Sequence, residues 1–190
     1  MVSRVTRVGE GAAGTTVSIR RASARDARRL TRLVRVSRAY EGPYAPMVAG
    51  YRVGPDYIET HRVFLAVATE GGEARGAAEA VRTGERLLGF YALVLDPPEL
   101  DLMFVADAAQ GLGIGRRLVE HMTDEARGAG LDAVRVVSHP PAEGFYRSVG
   151  ARRTGTVAAN PPAVMWDRPE LLLSVPAAAD RTGSGGVPLS

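Results

Sequence analysis

The chain has 190 residues, enough for one domain that buries roughly 70% of its unfolded surface and too few for a second full domain. Hydrophobic residues make up 45% and charged ones 24%, the balance of an ordinary globular protein, and no apolar run approaches the ~20 residues that cross a bilayer. The formal charge is +3 with no cysteine and no lysine; disulfides, thiolate metal sites and a cysteine nucleophile are excluded, and each basic residue apart from the histidines is an arginine that keeps its charge near neutral pH. Residues 1–16 lack the apolar stretch of a secretory leader, so the expected compartment is the cytoplasm. The arginine-for-lysine bias, with abundant Ala and Gly, suggests a GC-rich bacterial genome.

Residues 1–16 and 176–190 read as polar, Gly-bearing tails around one folded unit at 17–175. Val17–Arg20 reads as a short strand, and Ser23 with Asp26 resembles a capping box that opens a helix to about Tyr40. Arginines crowd positions 20–38, which invites a nucleic-acid reading. Leu30, Leu33, Val34 and Ser37 recur at helical spacing, however, so these arginines fall on the solvated side of an amphipathic helix. Glu41–Gly54 is a loop, Pro55–Thr60 a short helix opened by its proline, and Val63–Thr69 a strand, followed by an exposed and mobile excursion at 70–85. Leu87–Leu95 and Glu99–Val105 form an antiparallel pair at the centre of the sheet. A helix with Leu118, Val119, Met122 and Ala126 on one side then runs to the glycines at 128 and 130. Ala133–Ser138 is a strand and Ala142–Val149 a short helix, with Arg152–Val157 and Ala163–Asp167 as a final hairpin.

The most informative stretch runs from a strand into Gln110, Gly111, Leu112, Gly113, Ile114 and Gly115, and then into a helix. Glycines let a backbone come close to a ligand, and the free amides at a helix start, with Arg116 and Arg117 beside them, suit a pyrophosphate. A plain tight turn is the other reading of the same residues. The stretch lacks the GK[ST] ending of a P-loop, and Arg116 stands where the last glycine of GxGxxG should be. Several strands also precede the turn, whereas a Rossmann fingerprint begins near the first.

Gln110, Gly113 and Gly115 match the Q/RxxGxG/A signature of the GNAT acetyltransferases, and Val105 lies five residues before Gln110 as that family expects. The stretch HPPAEGFYRSVGARRTG resembles the family's second block, with Ala142, Phe145, Tyr146 and Gly150 in their usual places. His139 stands where Asn is common, and Ala151 replaces a frequent aromatic. The resemblance covers 17 to about 175 and is sharp between 99 and 156. It implies an α/β (α+β) fold: a single domain with a mixed, mostly antiparallel central sheet flanked by helices.

The resemblance also implies acetyl-CoA as cosubstrate, with its pyrophosphate on the amides from Gly111 to Arg116 and its pantetheine arm along the strand ending at Phe104 and Val105. A backbone amide at that strand's end would polarise the thioester carbonyl, a donor of a kind worth about 3 kcal/mol. The acceptor amine attacks directly, and Tyr146 matches the tyrosine that protonates the departing thiolate in many members. As an aromatic on an amphipathic helix Tyr146 could equally be packing, but Phe145 and Tyr146 are turned ~100° apart and should meet different surroundings.

For the base, Asp101 and Glu99 are read on the strand face of Val105, acting directly, through water, or by attracting a cationic amine. His139 reads as a cofactor contact, a base, or a hydrogen-bonded loop residue. Tyr40, Glu41, Tyr44 and Tyr51 lie in the loop that borders the acceptor pocket in relatives, with Glu41 favouring a cation. His61, His121 and His139 have no zinc spacing, so no metal is expected. The expected function is acetyl transfer to a primary amine of a small molecule or peptide, with no nucleic-acid or membrane partner and with the homodimer that the resemblance implies. The alternatives are a longer acyl chain, a protein amine as acceptor, or a non-catalytic acyl-CoA-binding regulator.

Overall fold

A computed structural model describes residues 15–69 and 84–177. The expected tails and the expected excursion at 70–85 fall outside these residues, apart from a few at their margins. Among the described residues seven strands form one sheet: β1 (Thr16–Arg21), β2 (Arg62–Thr69), β3 (Arg86–Leu95), β4 (Pro98–Val105), β5 (Ala133–Val137), β6 (Arg152–Val157) and β7 (Arg168–Ser174). Their order is β1-β2-β3-β4-β5-β7-β6, and each neighbouring pair is antiparallel except β4 and β5. This is the mixed, mostly antiparallel sheet implied by the sequence.

Helices cover both faces of the sheet. α1 (Ala27–Val36), α2 (Pro46–Ala49) and α3 (Pro55–Thr60) pack on one face around Leu30, Val34, Ile58, Leu65 and Phe90. α4 (Ile114–Gly128) and α5 (Glu143–Ser148) pack on the other, around Leu93, Leu118, Met122, Val134 and Leu171. Because β2 and β3 are covered twice, they are apolar almost without alternation. Each fully buried Leu or Phe contributes about 1.5–3 kcal/mol relative to exposure, so these two layers carry the stability of the fold.

α1 presents Leu30, Leu33 and Val34 to the core while Arg28, Arg32 and Arg35 of its outer side stay exposed. The Asp26 carboxylate reaches back to the Ser23 amide at 2.9 Å, as a capping box requires. The helix stops at Val36, earlier than the expected Tyr40. Ser37 is extended (φ −67°, ψ 122°), and a 3-10 turn follows at Arg38–Tyr40. A tertiary contact favours this exit: the Asp107 carboxylate accepts the Arg38 amide at 3.3 Å. The following loop is anchored to α1 by Thr31, whose hydroxyl accepts the Val53 amide at 3.0 Å.

The last strand differs from the expected one. Ala163–Asp167 forms no strand, only an isolated bridge between Asn160 and Val164, and the last strand is instead Arg168–Ser174, inserted between β5 and β6. Its pattern alternates, with Leu171 and Leu173 buried, but its first three residues, Arg, Pro and Glu, have the composition of a loop.

Two irregularities position the site. β4 and β5 are joined by a single bridge, Glu99 to Arg135, after which they part. β4 also bulges against β3: Ala92 pairs with Leu102 and Leu93 with Leu100, leaving Asp101 as the extra residue.

Candidate active site

A cavity of about 630 Å³ opens where β4 and β5 separate. Its walls come from β4, the start of α4, the end of β5, α5, and the loop after α1. Among the described residues no strand pairs with the β5 side of β4 beyond Glu99, so backbone groups of that edge face this gap. The Ala106 amide donates to the Leu88 carbonyl of β3 at 2.8 Å. Amide directions alternate along a strand, so the Val105 amide points the opposite way, into the gap. Phe104 contributes backbone rather than ring there, since its ring is buried between Phe90 and Tyr40 at centroid distances of 5.8 and 5.6 Å.

The glycine turn meets the cavity at the start of α4. Leu112 donates its amide to Ala109 and Arg117 to Gly113, and between them the amides of Gly113, Ile114, Gly115 and Arg116 find no carbonyl among the described residues. Gly113 caps the helix at φ 74°, a left-handed conformation costly for any residue with a Cβ. Gly115 is required for a different reason: a Cβ there would stand 3.0 Å from Cζ of Phe145. The turn, Arg116 and the gap therefore suit a ligand with a phosphorylated end and a narrow arm, and coenzyme A has that shape. Gln110, Gly111, Gly113, Ile114, Gly115 and Arg116 line the cavity, while Leu112 sits exposed at the tip of the turn.

Tyr146 is 8% exposed and lines the cavity from α5. Burial, with a smaller effect from Tyr40, pushes its phenol well above the ordinary value, so the hydroxyl stays protonated and able to donate. Phe145 and Tyr146 do not part to separate surroundings as expected. Their rings meet edge to face at 5.3 Å in one layer and both line the cavity; Phe145 covers Gly115 while Tyr146 completes the wall.

The two acidic candidates do not share the face of Val105. The bulge at Asp101 shifts the alternation, so Leu100, not Asp101, joins Met103 and Val105 in the α4 layer. Asp101 is exposed, lines the cavity and accepts a short hydrogen bond from the Tyr57 hydroxyl. Burial first, then Asp101, pushes the Tyr57 phenol far up, and burial, Asp101 and Tyr40 push Tyr51 up to about 12. Glu99 also lines the cavity, with one oxygen committed to Arg135 at 2.7 Å.

The four residues expected to border the acceptor divide. Tyr40 and Tyr51 line the cavity. Glu41 turns away to pair with Arg38 at 3.0 Å, exposed on both sides. Tyr44 stands behind the wall, edge-on to His139 at 4.3 Å and to Trp166 at 4.5 Å. His139 is 8% exposed and stacked on Tyr40 at 4.4 Å. Burial lowers its pKa, with the Ala39 backbone opposing, so the ring is neutral near neutral pH. Trp166 and Arg168, absent from the sequence-derived candidates, complete this end of the cavity. Their signal was slight: the single tryptophan of the chain lies in a connection two residues before an arginine. No group of three metal-ligating side chains occurs among the described residues. No helix among them is long and apolar enough to cross a membrane.

Known proteins share this fold. Residues 56–160 match the profile of the acetyltransferase (GNAT) domain. Serotonin N-acetyltransferase 2, chloroplastic, of Oryza sativa subsp. japonica is 31% identical over 88 residues, 46% of this chain; the chain spans only 40% of that relative's length. A GCN5-related N-acetyltransferase from Rhodopseudomonas palustris superposes with a TM-score of 0.64 at 14% identity, covering 92% of this chain and 98% of its own. yncA of Salmonella typhimurium, solved with its cofactor acetyl-CoA, superposes at 0.57 and 20% identity over 86% and 96% of the two chains. The glycine turn, the parted strands and a profile match over more than half of the sequence agree: the chain belongs to the GNAT family of N-acetyltransferases.

Proposed function

We propose that the protein transfers an acetyl group from acetyl-CoA to a primary amine of a small molecule or peptide, by direct attack and with Tyr146 as general acid. The observation that carries this reading is that the buried Tyr146 hydroxyl and the unpartnered amides at the start of α4 open into one cavity. Acetyl-CoA supplies an acyl group already activated as a thioester. On this reading the amides of Gly113 to Arg116, with the Arg116 guanidinium, hold its phosphates, and the Val105 amide donates to the carbonyl oxygen as charge develops there. Tyr146 gives its proton to the departing sulfur. Asp101, free of an arginine partner, is better placed than Glu99 to receive the ammonium proton, through Tyr57 or water.

Calorimetric titration with acetyl-CoA, followed by thiol release over a panel of amines, tests the reading. Binding with amine-dependent thiol release is expected; absence of binding would sink it. Binding without release from any amine would favour a regulatory acyl-CoA-binding protein.

A further inference from the structure

At the acceptor end of the cavity stands a charge that acetyl transfer leaves unused. Arg168 opens β7 and lines the cavity, half-buried, and no carboxylate among the described residues pairs with it. Three other half-buried guanidiniums find acids: Arg20 binds Glu85 at 2.8 Å, Arg62 binds Glu125 at 3.0 Å, and Arg135 binds Glu170 at 2.6 Å. The Nε of Arg168 is instead shut away from water without an acceptor. A neighbour shares that state. The indole nitrogen of Trp166 is buried and unpartnered, and its ring lies 6.4 Å from that of His139, whose own buried ring has only the Ala39 backbone beside it.

Buried donors without acceptors are uncommon and unfavourable, and here they cluster in one wall that also carries a positive charge. The wall is fixed in place: the Ser138 amide donates to the Pro169 carbonyl at 2.9 Å, which seats the start of β7 against the end of β5, and Tyr40 stacks on His139. The charge of Arg168 reaches the Tyr40 hydroxyl. A planar carboxylate has the acceptor oxygens and the charge that a guanidinium fork and an indole N–H would satisfy together. A polyamine brings only donors and like charge.

We propose that the wall formed by His139, Trp166 and Arg168 recognises a carboxylate on the acceptor, so that the acceptor is an amino acid or another amine bearing a carboxylate. This rests on the acetyl-transfer reading above and narrows it. The expected preference for a cationic acceptor, tied to Glu41, has no counterpart in this wall.

The test uses the full chain and matched pairs: a panel of amino acids, each beside its own carboxamide, compared by kcat/KM for acetyl-CoA-dependent thiol release. The carboxylate member should lead in at least one pair by about 10-fold to 100-fold, the range for a hydrogen bond to a charged group. Arg168→Gln should collapse that ratio towards one, mainly through KM, and Arg168→Lys should retain part of it. Trp166, the only tryptophan, reports independently of turnover: its emission should change on adding the carboxylate member to the CoA-bound protein and not on adding the carboxamide.

Turnover with no carboxylate preference in any pair overturns the proposal and leaves acetyl transfer standing. So does an Arg168→Gln variant that weakens coenzyme A binding while keeping the ratio, because the arginine would then serve a phosphate. Thiol release from no amine would instead count against the acetyl-transfer reading, and the Trp166 titration would still decide whether the wall takes a carboxylate.

Discussion

Tyr146 occupies a place where its proton is hard to remove. Burial holds the phenol above its ordinary value of 10.0, so on the proposed mechanism its ionisation should produce no loss of rate below that pH. A kcat profile that stays level on its alkaline side up to pH ~10 is expected, and a decline there that Tyr146→Phe abolishes would refute the assignment. Tyr146→Phe should lower kcat about 100-fold while leaving the Kd for acetyl-CoA nearly unchanged, read by single-turnover kinetics and calorimetry. At Gly115 the question is steric. Gly115→Ala pushes a methyl group to 3.0 Å from Phe145, and chemical denaturation should show a loss of about 1–2 kcal/mol, with weaker acetyl-CoA binding as the start of α4 shifts. Residues of this kind were legible because each belongs to a short local motif. Trp166 and Arg168 were not, since their significance arises from burial beside His139, 27 residues or more away along the chain, which no spacing encodes.

Among the elements, those bounded by proline or glycine were read best: Pro55–Thr60 to the residue, and the helix before Gly150 to one residue at each end, Glu143–Ser148 against the expected 142–149. Pro55 opens α3, and Gly150 (φ 98°) turns the chain from α5 towards β6. β7 was missed because Arg168, Pro169 and Glu170 look like connection, and only pairing with β5 and β6 makes them strand. The bulge at Asp101 was equally invisible: period-two reasoning assumes unbroken pairing, and the break is made by β3.

The join between β1 and α1 offers a further test. Arg20 and Arg29 bracket Asp26 and Glu85. Burial raises the Asp26 pKa, but Arg20 and then Ser23 outweigh it; Glu85 is lowered chiefly by Arg20. Both folded values thus lie below the ordinary 3.8 and 4.5, so their stabilisation is complete above those values and is lost as pH falls through the folded ones. Asp26→Asn should cost about 2 kcal/mol near neutral pH and progressively less in acid, measured by urea denaturation across that range.

Taken whole, the molecule is two half-sheets, β1–β4 and β5–β7, joined by one bridge and by the α4 connection. A ligand seated in the gap touches both halves, so binding should stabilise the fold as a unit. Acetyl-CoA at 100 times its Kd should raise stability by about 2.7 kcal/mol, visible as an increase in Tm that follows ligand concentration. A Tm indifferent to acetyl-CoA would mean that the gap is not its site.

The cations that coat α1 and tie Asp26, Glu85, Glu125 and Glu170 into place are all guanidiniums. Acyl thioesters react with neutral amines, and a guanidinium stays protonated at any pH the fold tolerates. A catalyst whose donor substrate is an acetylating reagent would, with lysines at those positions, slowly neutralise its own ion pairs. Built without a single side-chain ammonium, this chain keeps its charge pattern however long it stands in that reagent.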